Sequence, residues 1–533
     1  MGLFYTCTDV QNEHYGRSGS LPSQNLRELI AGEADLSVFS KLLEIAAYDS
    51  LLQSTQTFTV WAPENNALED IDLETITKEE ALLIVENHIA RFNHSTAEDA
   101  RKAIRMRNQK VYYFAGQSSF NGAEISKRDI LAKNGILHTL KSQVPYFPNI
   151  YEYILTSPHT SKMAEFIKQF EIDIIDPLSV EPDGSIRDTV YIRYNSLFDW
   201  TGWLAFSFGP IRSGLGQINV EDSTYTALIP DDTAWDAAYA RISPYFKASS
   251  KNPDPNFQYL QTSMAIVENL FFRGRIEEPA EKDSLVSTAH NVFQQPADLF
   301  KDTQKTQASN GLIFLTESDV NYNTKETFQK IIYVEADDAE GRKIEVQRQE
   351  FSAAVVRTIN DPAYSATDSR FLEVYQPKLS AINDEQPVIE FSIPQVLSGK
   401  YNIYAEFLPG ELSRYGQTRA TKFSCNLKFL SANGTIQTQS SPAASLFQTK
   451  ENEPVRLLLN GGNITGNFPV ANYYDRLWAI DFTNSLHTIE DRVVTTKLEL
   501  RVRVTATEFN SGQYGRSFCL DRIVFEPVIE PVK

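Results

Sequence analysis

Residues able to do chemistry are thinly scattered along the 533-residue chain. Asp231 and Asp232 are adjacent acids of the kind a hydrolase uses, but they follow Pro230 where a helix begins and needs caps. His88 and His138 are imidazoles that a fold could join as metal ligands or bury as hydrogen-bonded core residues. Ser213, Gly214 and Gly216 have the look of a phosphate cradle, yet no lysine closes it. No nucleophile elbow, zinc-protease helix or P-loop occurs. These residues point to a non-catalytic protein with no catalytic cofactor.

Aromatic clusters are the better candidates for binding. LFDWTGWLAFSFGP, residues 197–210, gathers Phe198, Trp200, Trp203, Phe206 and Phe208. The flat faces of Trp200 and Trp203 suit a sugar or a protein partner, and a plug between domains would use the same side chains. Tyr473 and Tyr474 pose the same choice, whereas Trp478 sits between Leu477 and Ala479 and reads as core.

The elements that would position these groups emerge from an internal repeat. NLRELI at 25–30 returns as NIYEYI at 149–154, and FTVWAPENNAL at 58–68 as YTALIPDDTAW at 225–235. VENHIARF at 85–92 returns as VENLFFRG at 267–274, and NGILHTL at 134–140 as NGLIFLT at 310–316. Four matches in one order mean two copies of a domain. The growing offset places an insertion of about 40 residues in the second copy, within residues 176–222.

Leu36, Phe39, Leu42, Leu43 and Ala46 recur at helical spacing after Asp35, so a helix over 36–48 with Asp35 as N-cap is expected. Met163, Phe166, Ile167 and Phe170 repeat the pattern. Phe58 and Val60 belong to a strand that must end near Pro63. Glu64, Asn65 and Asn66, or Asp231, Asp232 and Thr233, then stand where the amides of a starting helix need acceptors. Asn134-Gly135 and Asn310-Gly311 predict tight turns with positive backbone dihedrals.

The corner after FTVWAP, the Asn87-His88 pair and the closing NGILHTL resemble the characteristic blocks of the fasciclin domain family. The resemblance covers residues 21–147 closely and 148–332 more loosely. It implies mixed α/β domains and a role in adhesion. Asn87 stands where the family has tyrosine, and Leu270 and Phe314 replace both histidines in the second copy, so binding through that block is not expected there.

From residue 333 onward, VIEFSI, KYNIYAEF, TKFSCNLKFL, TTKLELRVRV and FCLDRIVFEPV are short strand-like runs between turn signals, which indicates a β-sandwich over 333–533. Its pattern resembles the galactose-binding-like jelly rolls that bind carbohydrate. That resemblance implies a structural calcium between Glu335 and Asp521, unless these carboxylates are solvated or salt-bridged.

A net charge of −19 and a pI near 5.0 make nucleic acid and anionic lipid poor partners. Cys425 and Cys519 either pair or lie buried as separate thiols. LFYTC, residues 3–7, resembles the end of a bacterial lipoprotein signal with Cys7 as the lipid acceptor and residues 1–20 as a tether, unless Cys7 is an ordinary cysteine. Sequons at Asn93, Asn433 and Asn463 would matter only in a eukaryotic secretory protein.

The expected protein is multidomain, with two fasciclin-like mixed α/β domains followed by a jelly-roll β-sandwich. It would be held on a bacterial outer membrane or cell surface by lipid alone and bind a glycan or a surface protein. Such arrangements resemble accessory lipoproteins of glycan-uptake systems in Bacteroidetes. The alternatives are a protein-binding adhesin and a hydrolase with scattered acids.

Overall fold

The computed structural model describes residues 22–97, 101–115, 118–175, 191–195, 197–198, 215–246, 255–321, 323–339, 342–345, 353–359, 370–376, 386–394, 396–413, 419–430, 435–441, 446–459, 468–470 and 496–528. Contacts divide the chain into two compact units. One is built on the first copy together with segments 217–225 and 306–313, and the other holds the rest of the second copy and the C-terminal sheets.

The first copy is organised by the strand Phe58–Pro63, all six residues of which are buried. Its β-branched and aromatic residues suit a central strand. It pairs antiparallel with Ile89–Arg91 and parallel with Gly135–Leu140. The sheet continues through Ala123–Ala132, Ser119–Phe120 and Val111–Phe114 to Lys102–Arg105. Alternation along the central strand splits the core. Phe58, Val60 and Ala62 meet Leu26, Phe39, Leu42 and Val85 from the helices, while Trp61 faces Ile104, Tyr112, Phe114 and Phe120.

The expected helix over 36–48 is shorter and capped differently. Asp35 lies in a 3-10 turn, Ala34–Leu36, and the α-helix runs Ser37–Ile45 with no side-chain cap from its preceding residue. It stops where Ala47 adopts φ +58, a left-handed conformation that cannot continue an α-helix. Asn65 supplies the missing cap from a distance: its Oδ1 accepts from Val38 N–H at 2.9 Å and its Nδ2 donates to Ala34 O at 2.9 Å.

The corner after Pro63 therefore caps the preceding helix in the first copy, and Glu64 makes no side-chain cap to the 3-10 turn that follows it. The second copy uses both devices. Asp232 Oδ1 accepts from Lys162 N–H at 2.8 Å at the start of the helix Ser161–Lys168, and Asp231 accepts from Ala234 N–H at 2.7 Å in its own helix, Asp232–Ile242. Both acids are engaged as helix caps. Met163, Phe166, Ile167 and Phe170 are buried as expected.

Sheet order confirms the repeat. The second copy runs Phe271–Arg273, Tyr225–Pro230, Gly311–Thr316, Gln304–Ala308, matching the first copy's Ile89–Arg91, Phe58–Pro63, Gly135–Leu140, Ala123–Ala132. The match extends to single bonds. Asn134 accepts from Leu26 N–H and donates to Leu52 O and Ser54 O; Asn310 accepts from Ile150 N–H and donates to Ile218 O and Val220 O. The expected tight turns are present, Lys133-Asn134 and Ser309-Asn310 joining paired strands with Gly135 and Gly311 at φ +155 and +156, and the asparagines do more than turn the chain. Each asparagine clamps backbone far away in sequence, and Gly135 and Gly311 open strands that approach a neighbouring carbonyl closely.

One correspondence exposes a cost. Thr59 Oγ1 donates to Phe92 O at 2.7 Å, and Thr226 Oγ1 donates to Gly274 O at 2.9 Å, so Phe92 and Gly274 are equivalent. Both are left-handed, at φ +69 and +87. Glycine adopts this freely, whereas Phe92 is strained by ~1–2 kcal/mol and is 71% exposed, so burial returns little. Phe92→Gly is expected to stabilise the protein by up to ~1 kcal/mol, the unfolded-state entropy of glycine offsetting part of the relief. A higher urea midpoint at unchanged m-value would show it; a lower midpoint would refute the strain argument.

Of the inserted region, the strand Tyr191–Asn195 pairs antiparallel with Glu171–Ile175, and Phe198 packs edge-on against Phe271 with centroids 5.5 Å apart. The C-terminal region is all β. One sheet runs Ala353–Thr358, Arg370–Tyr375, Phe518–Pro527, Gly399–Leu408, Val455–Leu458, with Ile332–Glu335 also on Phe518–Pro527 and Phe468–Val470 also on Gly399–Leu408. The other runs Arg342–Glu345, Val388–Ser392, Lys497–Val502, Lys422–Leu430, Ile436–Ser440, with Phe447–Gln448 also on Lys422–Leu430. Inward residues of both, including Leu372, Ile403, Phe423, Leu500 and Ile523, share one core. Cys425 and Cys519 are separate buried thiols, and burial pushes the Cys519 pKa up to about 12.

Candidate functional site

Cys7, Trp200, Trp203, Phe206, Phe208, Tyr473, Tyr474 and Trp478 lie outside the described residues, as do Asn433 and Asn463. The histidines are described, and they do not converge on a metal. His88 is fully buried; its Nδ1 donates to Ile84 O at 2.7 Å and its Nε2 accepts from Val144 N–H at 3.1 Å, a tautomer assigned from these partners. His138 is equally occupied, with Nδ1 accepting from Asp129 N–H at 3.2 Å and Nε2 facing His94 O at 2.9 Å. It stacks on Trp61 with centroids 5.7 Å apart. Both are core histidines.

Burial lowers the pKa of His88 to about 4 and lowers that of His138. A depressed folded pKa means that the unfolded chain takes up the proton first on acidification. The His88 contribution is thus intact above about pH 6.5 and is lost progressively as pH falls from there to about 4. The unfolding free energy of the first domain should decline over that window, by on the order of 3 kcal/mol from this residue. His88→Leu, which copies Leu270, should lower stability at pH 7 yet give a shallower acid slope in denaturant titrations; an unchanged slope would exclude His88 as a source.

Glu335 and Asp521, expected to hold calcium, have a cation beside them. Arg522 Nη1 is 3.9 Å from Glu335 Oε1 and its Nε is 3.9 Å from Asp521 Oδ2. Among the described residues, no group of three or more His, Cys, Asp or Glu is placed to hold a metal ion. Two carboxylates beside a guanidinium are fewer than the six to eight oxygens that calcium takes. They fit the salt-bridged alternative.

Arg522 is the centre of a larger arrangement. Along Gly399–Leu408, Ile403, Ala405 and Phe407 point into the core, which turns Asn402, Tyr404 and Glu406 outward. The register shifts between Glu406 and Phe407, leaving Asp521 as the extra residue of a β-bulge. The bulge places Leu520 and Ile523 inward while Arg522 and Val524 share the outer face with Tyr404.

Two rows result across four strands. Tyr333, Val524, Tyr404 and Leu458 are successive cross-strand neighbours, and beside them run Glu335, Arg522, Glu406 and Arg456. The rows interlock. Arg522 Cζ is 4.8 Å from the Tyr333 ring centroid, and Arg456 Cζ is 4.0 Å from that of Tyr404. Arg522 Nε donates to Glu406 Oε2 at 2.7 Å, while Arg456 lies 3.4 Å from Glu406 Oε1 and 3.3 Å from Glu526 Oε2. Burial is the largest single influence and opposes the charge on Arg522, but the hydrogen bond that it donates to Glu406 and the nearby carboxylates of Glu406, Asp521 and Glu335 together hold the pKa above its usual value.

Tyr333 is 51% exposed and Leu458 is 39% exposed. Such a face offers fixed aromatic surface next to paired donors and acceptors, the combination that grips a flat molecule rich in hydroxyls. Sequence reading passed over it, although a tyrosine at a polar phase of KYNIYAEF was the available signal.

Residues 34–143 match the family model described as Fasciclin domain. No curated protein matches the chain. The FAS1 domain pair of the insect cell adhesion molecule Fasciclin I is similar at 12% identity, covering 55% of this chain and 98% of that one, with a TM-score of 0.20. The C-terminal family 22 carbohydrate binding module of Clostridium thermocellum Xyn10B is similar at 10% identity, over 37% of this chain and 94% of that one, with a TM-score of 0.21. The CBM22-1 xylan-binding domain of Paenibacillus barcinonensis Xyn10C gives 10%, 38%, 96% and 0.21 in the same terms. Likenesses of this size say nothing of what this chain binds. The strand orders show two mixed α/β domains of matching sheet order, the first of which contains the residues that the Fasciclin domain model matches, followed by a two-sheet β-sandwich.

Proposed function

We propose that the chain is a non-catalytic binding protein whose C-terminal sandwich takes a hydroxyl-rich glycan across Tyr333 and Tyr404. The observation that carries this reading is the pair of interlocked rows, in which two tyrosines stand beside arginines already fixed by Glu335, Glu406 and Glu526. Side chains held in place before a ligand arrives lose little entropy on binding, and their donors are aimed in advance. The chain would be held by lipid on Cys7 at the outside of a bacterial outer membrane.

A glycan array followed by calorimetry on the full chain tests the proposal. A neutral oligosaccharide should bind, and Tyr333→Ala with Tyr404→Ala should weaken it by at least ~100-fold, the usual cost of losing two aromatic anchors. Undiminished affinity in the double variant would remove this face from consideration. Capture of a surface protein without any glycan signal would instead favour an adhesin. Mass spectrometry of membrane-extracted protein tests the anchor, since an unmodified Cys7 would eliminate it.

A further inference from the structure

We propose a second ligand site, in the first fasciclin-like domain, that receives an acidic saccharide by its carboxylate and ring. A cavity of about 320 Å3 is lined by Arg101, Tyr113, Ala115, Ser119, Asn121 and Gly122. That volume is at the small end of ligand pockets, roughly 300–1,000 Å3.

The local backbone explains why the cavity has a fixed shape. Asn121 at φ +46 and Gly122 at φ +89 form the two-residue turn between Ser119–Phe120 and Ala123–Ala132, the positive pair of dihedrals that a tight hairpin requires. Asn121 N–H donates to Tyr113 O at 2.7 Å, fastening the turn to the tyrosine's strand. A Cβ built on Gly122 would meet nothing within 4 Å, so the turn leaves open space.

Strand alternation buries Tyr112 and Phe114 and leaves Tyr113 47% exposed. The Arg101 guanidinium carbon lies 4.0 Å from the Tyr113 ring centroid. Among the described residues Arg101 has no carboxylate partner, although the chain carries a net charge of −19. Its neighbours in the same sheet are matched: Arg105 with Asp222, and Lys141 with Glu124 at 2.5 Å. A guanidinium steadied on an aromatic ring, with no counter-ion among the described residues, is a two-pronged receptor for a carboxylate. The exposed ring provides a stacking surface, while the Ser119 hydroxyl and the Asn121 amide can meet sugar hydroxyls. A uronic acid unit within an oligosaccharide combines these features.

The site is independent of the sandwich face, and the test separates them. Calorimetry on the full chain uses a galacturonic acid trimer and its methyl ester. The trimer should bind, with the ester, Arg101→Gln and Tyr113→Ala each weakening the interaction at least ~10-fold, while Tyr404→Ala leaves it unchanged. Both variants alter exposed side chains, so their melting temperatures should match the parent. The proposal is overturned by equal affinity for acid and ester, by indifference to Arg101→Gln, by loss on Tyr404→Ala, or by no binding at all. Displacement by inorganic phosphate at equal concentration would also overturn it, marking Arg101 as an unspecific anion contact.

Discussion

Gly135→Ala should unfold the first fasciclin-like domain at ordinary temperature. An alanine Cβ there would stand 1.9 Å from Phe58 O and 2.7 Å from Leu26 Cδ1. Leucine can move, but Phe58 O cannot, because Phe58 begins the central strand and lies directly opposite Gly135 in the parallel ladder. Relief would require the two central strands to part. The expected cost exceeds ~4 kcal/mol, the range reserved for substitutions with no local remedy. Gly311→Ala should do the same to the second copy, where the clash is with Tyr225 O at 1.8 Å. Gly122→Ala is the control: φ is +89 but the space is open, so the cost should be only ~1 kcal/mol. Circular dichroism melts and limited proteolysis would compare the three, and a Gly135→Ala protein melting like Gly122→Ala would disprove the packing argument.

Lys110→Met should be the next most damaging change. Lys110 is fully buried, and its Nζ reaches Glu221 at 2.8 Å and Glu152 at 2.6 Å beneath the Tyr146 ring. Glu221 is itself nearly inaccessible and also accepts from Ser309 Oγ at 3.0 Å. Removing the cation strands a buried carboxylate, which typically costs ~3–5 kcal/mol. The pair as a whole is worth far less, because both charges had to be desolvated. Lys110→Met combined with Glu221→Leu should therefore recover much of the loss, as measured by denaturant unfolding in a double-mutant cycle. A double variant no better than the sum of the singles would mean that packing, not charge, dominates.

How much of this was readable beforehand depends on distance along the chain. The repeat, the strand ending at Pro63 and the β-rich last third follow from short-range signals: alternation, proline and Asn-Gly pairs. Asn65 and Asp232 were correctly seen as caps but assigned to the helix that follows, whereas they hold helices 27 and 70 residues upstream. No local pattern encodes such a partner. Asn134 is the turn residue that its glycine neighbour announces, but nothing local shows that it also spans 108 residues to cap Leu26. The Tyr333 and Tyr404 face was missed because it depends on one bulge at Asp521, which puts Arg522 and Val524 on the same side of the sheet as Tyr404. The single-residue offset is invisible in FCLDRIVFEPV read as a plain strand.

The duplicated closing strand has a consequence for how the chain reaches its native state. In the first copy the last strand must find a partner some 77 residues earlier, as Phe58 opposite Gly135 shows, so the central ladder closes late. Two such strands, each led by Asn-Gly and followed by apolar residues, compete for two similar slots while both are open. Inter-repeat exchange is a characteristic trap for chains of this kind. Trp61 lies opposite His138, whereas the second copy carries Leu228 and Phe314 at the corresponding positions. An exchanged strand would set Phe314 against Trp61 and lose the contacts that His138 makes with Asp129 and His94. The divergence of the copies at their centres thus leaves an exchanged strand with fewer hydrogen bonds than the native one, which favours each copy's own closing strand.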